Sequence, residues 1–219
     1  MNLIYLFLLA PFFIYWCINE KIGLQISITT LLCIWAVLLC AHLKENIPLN
    51  FNLTWIIIAV IVCVYLFLGK KIDALLSKGG IRAYLITAAA VSFLMILYRP
   101  NYEFVFPGGI MLGLSIGYCL NKRYIGFKSS DVLNRKGIIK WLSLIARFIL
   151  GTAILPIILF RINEIMRQIS NSQYILIYGF LSYVIMSMWV SVAAPWLFIK
   201  LHLAGVSTND PTEQNDKQQ

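Results

Sequence analysis

The chain has 219 residues, of which 60% are hydrophobic and 12% are charged, and its net charge is +9. A soluble domain carries roughly 25% charged residues, so the composition excludes a chain whose whole surface faces water. The 18 basic residues are not clustered with aromatic residues on a polar segment. Nucleic acid is therefore not an expected partner, and the basic residues are better explained as loops that orient a membrane protein.

The apolar residues fall in long uninterrupted runs. A helix needs roughly 20 apolar residues to cross the hydrocarbon core, and lipid cannot hydrogen-bond to an exposed backbone. The runs therefore predict an all-α fold, a polytopic transmembrane helix bundle of six to seven spans that forms one domain over residues 1–204. The candidate spans, in chain order, are 2–18, 22–43, 53–69, 81–98, 104–120, 141–160 and 174–199.

The first span could be mistaken for a signal peptide. It has no positive residue before its apolar core and no small-residue cleavage site before Asn19, so the sequence favours a retained helix. Whether span 2–18 crosses the whole bilayer stays open. The next span follows after only Asn19, Glu20 and Lys21, which predicts a tight helical hairpin.

Basic residues divide unequally between the two sides of the predicted bundle. The loops after spans one, three and five, together with the tail, hold 12 of them, whereas the other side holds four. Since basic loops stay in the cytoplasm, this predicts a membrane protein with its C-terminus in the cytoplasm. Residues 205–219 are polar and predict a disordered cytoplasmic tail.

The loop from Asn121 to Lys140 is the most basic stretch and has apolar residues between its charges. Such a segment can lie at the interface and attract anionic lipid headgroups, at about 1 kcal/mol per basic side chain. An ordinary orienting loop explains the same pattern. The candidate headgroup-binding residues are Lys122, Arg123, Lys128, Arg135, Lys136 and Lys140.

Gly109, Gly113 and Gly117 are spaced four apart in one span and so share a helix face. Glycines on one face let another helix approach closely. The partner helix is either inside the same bundle or in a second copy of the chain, and both alternatives remain open. A different membrane protein is also a possible partner.

Arg147 lies about seven residues inside the sixth span. Charges inside a membrane are costly and usually face the bundle interior or a polar cavity. From this depth the side chain could also extend to the headgroups. Arg147 is therefore the candidate intramembrane charge.

The residues that would carry enzyme chemistry are sparse. The chain has two histidines, His42 and His202, each at a predicted membrane boundary and without an acid, a serine or another histidine at catalytic spacing. All five cysteines lie inside apolar runs without a C-x-x-C pair. No catalytic set, cofactor or metal site is expected.

Three stretches of the chain, YWCINEKIGL (15–24), GGIMLGLSIGYCLNKRYIGF (108–127) with RKGIIKWLSLIARFILG (135–151), and MWVSVAAPWLFIKLHLAG (188–205), carry a family resemblance. They resemble the type 2 phosphatidic acid phosphatase superfamily, in particular its bacterial multi-span members. The second and third are similar to the part of such proteins that follows the catalytic core. The resemblance implies a multi-span helical fold in a bacterial inner membrane and a relation to lipid phosphate hydrolysis.

The family's catalysis uses three motifs, K-x6-R-P, P-S-G-H and S-R-x5-H-x3-D, whose two histidines attack phosphorus and protonate the leaving group. This chain completes none of them. Arg99-Pro100 follows Ser92 where the lysine should stand, and Pro107 begins the string P-G-G-I in place of P-S-G-H. Between Asp131 and His202 there is no histidine. The resemblance therefore implies a relative without catalytic residues.

Three functions remain open at this point. The first is a non-catalytic membrane protein that binds lipid or a membrane partner. The second is an active lipid phosphatase that uses other residues. The third is a transporter or its accessory subunit, for which Arg147 and helices broken at Pro107 and Pro156 would be the observations.

Overall fold

The structure, a computed structural model, describes residues 3–44, 80, 83–97, 102–134, 137–168 and 172–206. Within these ranges the chain is helical apart from one pair of two-residue strands. The helices are α1 (Leu3–Cys17), α2 (Glu20–Lys44), α3 (Ala83–Leu97), α4 (Tyr102–Leu120), α5 (Ile138–Gln168), α6 (Ser172–Met188) and α7 (Ala194–Lys200).

The predicted all-α membrane bundle is confirmed. Four stretches of the described chain are long and apolar enough to cross a membrane, and α1 and α3 are shorter apolar helices of 15 residues each. The predicted span 53–69 lies outside the described residues. The four long stretches are Glu20–Leu39, Phe104–Ile125, Ile138–Ile162 and Tyr174–Lys200.

Helix α5 differs in length from the predicted span 141–160, because it runs from Ile138 to Gln168. Its 31 residues extend about 46 Å, which exceeds the hydrocarbon thickness of about 30 Å. The exposed Arg161–Glu164 ion pair, with an N–O distance of 3.1 Å, lies in the later turns. Pro156 is inside this helix, as Pro107 is inside α4, so the prediction that these prolines break their helices is wrong.

The predicted span 174–199 is not a single α-helix. Between α6 and α7 the residues Trp189–Ala193 form a π-helical turn. Pro195 has no N–H, so neither Ser191 O, four residues earlier, nor Val190 O, five residues earlier, can accept a bond from it. Both carbonyls receive side-chain donors from α1, which are Tyr15 Oη to Ser191 O at 3.3 Å and Trp16 Nε1 to Val190 O at 2.8 Å.

The glycine face of α4 packs against α6. A Cβ at Gly109 would lie 2.9 Å from both Phe180 O and Tyr183 Cβ. One at Gly113 would overlap Ser187, and one at Gly117 would overlap Ser191. The three glycines thus let two helices of one chain approach, and α6 covers the face that a second copy would need.

Beyond α4 the chain folds back over the end of the bundle. A π-helical turn, Asn121–Ile125, leads to Gly126 in the left-handed conformation (φ 65°), to strand β1 (Phe127–Lys128) and to the 3₁₀ helix Ser129–Asn134. Strand β2 (Gly205–Val206) pairs antiparallel with β1, Phe127 opposite Val206. Residues 121–134 and 201–206 are called the end cap below.

The end cap replaces part of what the sequence predicted as a loop and a tail. The sequence predicts that Gly205 and Val206 belong to the disordered tail, whereas in the structure they form β2. Residues 207–219 lie outside the described residues. The turn between α1 and α2 meets the same end cap through Glu20 and Ser129, so three segments that the charge count assigned to one side of the membrane lie together.

The Pro195 geometry generates a double-mutant test. Tyr15→Phe removes the donor to Ser191 O and should lower the free energy of unfolding by about 1–3 kcal/mol, the cost of an unsatisfied buried acceptor. In a Pro195→Ala background the restored N–H can donate to Ser191 O. The cost of Tyr15→Phe should fall there by about 1 kcal/mol, measured by denaturant titration of the purified protein in detergent.

The control is Tyr178→Phe, at an exposed tyrosine of α6, which should behave alike in both backgrounds. If Tyr15→Phe lowers the free energy of unfolding equally with and without Pro195, the conclusion that Tyr15 replaces the donor missing at Ser191 O is contradicted.

Candidate functional site

The end cap is organised around Asn121, the first residue of the turn after α4. Its side chain is 3% exposed. Asn121 Nδ2 donates to Tyr15 Oη at 3.1 Å, and Asn121 Oδ1 accepts from Phe127 N at 3.2 Å. Its backbone carbonyl accepts from Gly126 N at 2.8 Å. One amide therefore joins α1, the end of α4 and strand β1.

The start of α2 is attached to the end cap by Glu20 and Ser129. Asn19 Oδ1 accepts from the backbone N–H groups of Lys21 and Ile22 at 2.9 and 3.1 Å, which makes Asn19 the N-cap of α2. Glu20 Oε2 accepts from Ser129 Oγ at 2.5 Å and from Ser129 N at 3.2 Å, while Ser129 Oγ accepts from Glu20 N at 3.0 Å. This reciprocal pair fixes the Glu20 carboxylate at the edge of the bundle.

Arg147 projects from α5 into the bundle under the end cap and is fully buried. Arg147 Nη1 donates to Trp16 O at 2.9 Å and to Ser129 O at 3.0 Å. Arg147 Nε and Nη2 donate to Leu203 O at 3.1 and 2.6 Å, and the guanidinium carbon lies 5.5 Å from the centroid of the Phe127 ring. The side chain therefore holds the end of α1 and both parts of the end cap together.

A cavity of about 230 Å³ lies between the start of α2 and the end cap. Asn121 and Phe127, both buried, belong to its wall. The charged groups on the wall are one carboxylate, from Glu20, and two ammonium groups, from Lys122 and Lys128. This end-cap cavity is lined by Glu20, Tyr118, Asn121, Lys122, Gly126, Phe127 and Lys128.

The candidate headgroup-binding residues occupy different positions. Lys122, Arg123 and Lys128 are exposed on the end cap, and Lys122 and Lys128 line the cavity. Lys140 is half-buried in the first turn of α5. Arg135 and Lys136 lie outside the described residues.

Exposed aromatic and aliphatic side chains surround the same end of the bundle. Tyr124 is 71% exposed, and Trp141 is 66% exposed. Arg123 lies over the Tyr124 ring at 5.4 Å, and the Lys200 ammonium lies 4.5 Å from the centroid of the Trp196 ring. Aromatic rings beside basic groups are typical of the membrane–water boundary, so the side chains at this end of the bundle are of the types that proteins place near lipid headgroups.

The two histidines lie far apart. His202 is exposed in the end cap with a positive φ of 55°. Residue 42 is in the last turn of α2, 22 residues after Glu20, and 22 residues of α-helix extend about 33 Å. Glu20, the first residue of α2, is bonded to the end cap, which contains position 202. Position 42 therefore lies at the end of α2 that is remote from the end cap.

Sequence reasoning missed Glu20, Asn121 and Ser129, whose side chains build the cavity wall and its attachment. The sequence N-E-K between two apolar runs carried a signal for Glu20, because asparagine before an acidic residue is typical of a helix start. No local pattern marks Asn121 or Ser129. Their partners at the start of the chain, Tyr15 and Glu20, are 106 and 109 residues away.

The comparison with family models matches residues 105–206 to the transmembrane extension of PAP2 superfamily phosphatases. The match covers a little under half of the chain and supports its similarity to the PAP2 superfamily, the type 2 phosphatidic acid phosphatases. It begins in α4 and ends at Val206, the last residue of β2, so it contains the end cap. No curated protein and no solved structure matches the chain.

Replacing Arg147 tests its structural role. Arg147→Met leaves Trp16 O, Ser129 O and Leu203 O without the guanidinium donors. Because a buried acceptor without a partner costs about 1–3 kcal/mol, the variant should lose at least about 3 kcal/mol of unfolding free energy. The measurement is the thermal midpoint in detergent together with the rate of proteolysis in the end cap.

The matched control is Arg161→Met on the same helix, where the arginine makes an exposed ion pair with Glu164. Exposed pairs of this kind contribute about 0–1 kcal/mol. If the two arginine variants were equally stable, Arg147 would have no special role in the end cap.

Proposed function

Given that the chain carries the transmembrane extension of PAP2 superfamily phosphatases, we propose that it is a non-catalytic membrane protein that binds phospholipid headgroups at the end cap. The proposed ligand is the chemical group on which the superfamily acts, a phosphate attached to a lipid. The chain holds this group without hydrolysing it.

The separation of the histidines supports a non-catalytic role and is the observation that carries the proposal. In the family's chemistry one imidazole attacks phosphorus while another protonates the leaving group, so both must reach the same phosphate. Position 42 lies about 33 Å along α2 from Glu20, and Glu20 is bonded to the end cap, which contains position 202. The chain has no third histidine, so this pair is unsuited to the reaction.

The composition of the end cap supports headgroup binding. Lys122, Arg123 and Lys128 are three exposed cations at the end cap, and Lys122 and Lys128 line the cavity. Exposed aromatic residues at the same end of the bundle, among them Tyr124 and Trp141, support a position at headgroup depth. Each basic group near an anionic surface contributes about 1 kcal/mol. The transporter alternative loses its motivation, because Arg147 is bonded to three backbone carbonyls and Pro107 and Pro156 lie inside continuous helices.

The test uses the purified full chain in proteoliposomes of phosphatidylcholine with added phosphatidic acid or polyprenyl pyrophosphate. We expect no phosphate release above that of empty vesicles and selective retention of phosphatidic acid over phosphatidylcholine on the protein after re-extraction. Robust turnover that is lost when His42 and His202 are both replaced by alanine would establish the chain as a lipid phosphatase instead.

We also propose that the end cap faces the cytoplasm of a bacterium, because basic residues in short loops favour the cytoplasmic side. The described basic residues in or next to the end cap are Lys21, Lys122, Arg123, Lys128, Lys140 and Lys200. A green fluorescent protein fused after the tail should fluoresce, and alkaline phosphatase at the same position should be inactive. The reverse pattern would place the end cap on the outer face.

A further inference from the structure

The charges of the end-cap cavity differ from those of a plain anion site. Lys122 and Lys128 supply two cations to its wall, and Glu20 supplies an anion to the same wall. Within the part of the chain that the structure describes, Glu20 forms no ion pair with either lysine. Opposite charges therefore face one cavity without neutralising each other directly.

The Glu20 carboxylate is held in place from one side. Ser129 donates its hydroxyl and its backbone N–H to the same oxygen, Oε2. The other oxygen, Oε1, accepts no hydrogen bond from the described residues. A carboxylate fixed through one oxygen keeps the second available as an acceptor, and it accepts most strongly from a charged donor.

The lysines are placed by the backbone of the end cap. Lys122 is in the π-helical turn that Asn121 fixes, and Lys128 is in β1, whose pairing opposite Gly205 sets its position. Gly126, in the left-handed conformation, turns the chain between them. The two ammonium groups therefore come from a closed, hydrogen-bonded loop and approach the cavity from the side of the end cap.

We propose that the end-cap cavity binds a phosphate joined to a primary ammonium group, as in phosphoethanolamine, with the phosphate at Lys122 and Lys128 and the ammonium at Glu20. The volume of about 230 Å³ is below the 300–1,000 Å³ typical of drug-sized ligands and suits a headgroup rather than a whole lipid. The assignment rests on the proposed headgroup binding and specifies the headgroup. The same chemistry occurs in phosphatidylethanolamine and in soluble glycerophosphoethanolamine.

The experiment measures lipid bound to the purified full chain in detergent by native mass spectrometry. The probes are phosphatidylethanolamine, phosphatidylglycerol, which lacks the ammonium, and phosphatidylcholine, whose quaternary ammonium cannot donate a hydrogen bond. We expect phosphatidylethanolamine to bind about tenfold more tightly than phosphatidylcholine, the ratio given by one charge-assisted hydrogen bond.

Three variants separate the two halves of the site. Glu20→Gln keeps an oxygen acceptor for Ser129 but removes the charge, so it should lose about tenfold in phosphatidylethanolamine affinity and leave phosphatidylglycerol unchanged. Lys122→Gln and Lys128→Gln should weaken both lipids. The control is Arg161→Gln, at an exposed arginine in the later turns of α5 that does not line the cavity, and it should leave the affinities for both lipids unchanged.

A competition experiment with soluble glycerophosphoethanolamine shows whether the ligand is a lipid or a soluble compound. Displacement of phosphatidylethanolamine by glycerophosphoethanolamine, but not by glycerol phosphate, supports a site that accepts soluble and lipid forms; selective binding without displacement supports a site for the lipid alone. The inference is overturned if Glu20→Gln binds phosphatidylethanolamine as the wild type does, or if Arg161→Gln weakens it as much as Lys122→Gln. If phosphatidic acid is retained while Glu20→Gln has no effect, only this inference fails, whereas loss of all lipid selectivity also rejects the proposed function.

Discussion

The buried guanidinium of Arg147 is the interaction on which the end of the bundle depends. A cation in a membrane protein is costly unless its donors are satisfied, and here they are bonded to the carbonyls of Trp16, Ser129 and Leu203. These carbonyls end α1, begin the 3₁₀ helix and precede β2. One side chain thereby donates to three backbone carbonyls, and it connects regions of the chain that are 131, 18 and 56 residues away.

A second group of hydrogen bonds supplies donors to backbone carbonyls near Pro195. The proline removes a backbone donor, and the carbonyls of Val190 and Ser191 lie in a π-helical turn. Trp16 and Tyr15, consecutive residues of α1, donate to them. Gly151 leaves the space that the Trp16 ring occupies, since a Cβ there would overlap the ring. Irregular backbone at membrane depth is tolerated where neighbouring side chains bond to it, and in this bundle α1 supplies them.

Hydrophobicity predicted the fold class and most helices because burial in lipid is a property of whole runs of residues. It predicted α2 and α4 closely, and it missed the last turns of α5, whose polar residues lie beyond the hydrocarbon. The π-helical turns and the β1–β2 pair were not predictable, because they depend on contacts between residues far apart in sequence. The same reason explains the site: the lysines stood out by charge, whereas Glu20, Asn121 and Ser129 acquire their roles only through the end cap.

The pairing of β1 with β2 also has a consequence for biosynthesis. Strand β1 leaves the ribosome long before Gly205 and Val206, and Leu203 O is available to Arg147 only when the polypeptide has reached that point. Until then the guanidinium in α5 lacks one of its acceptors, and the closing contacts carry the high loop entropy of distant residues. Closure of this end of the bundle therefore waits until residues 203–206 have been translated.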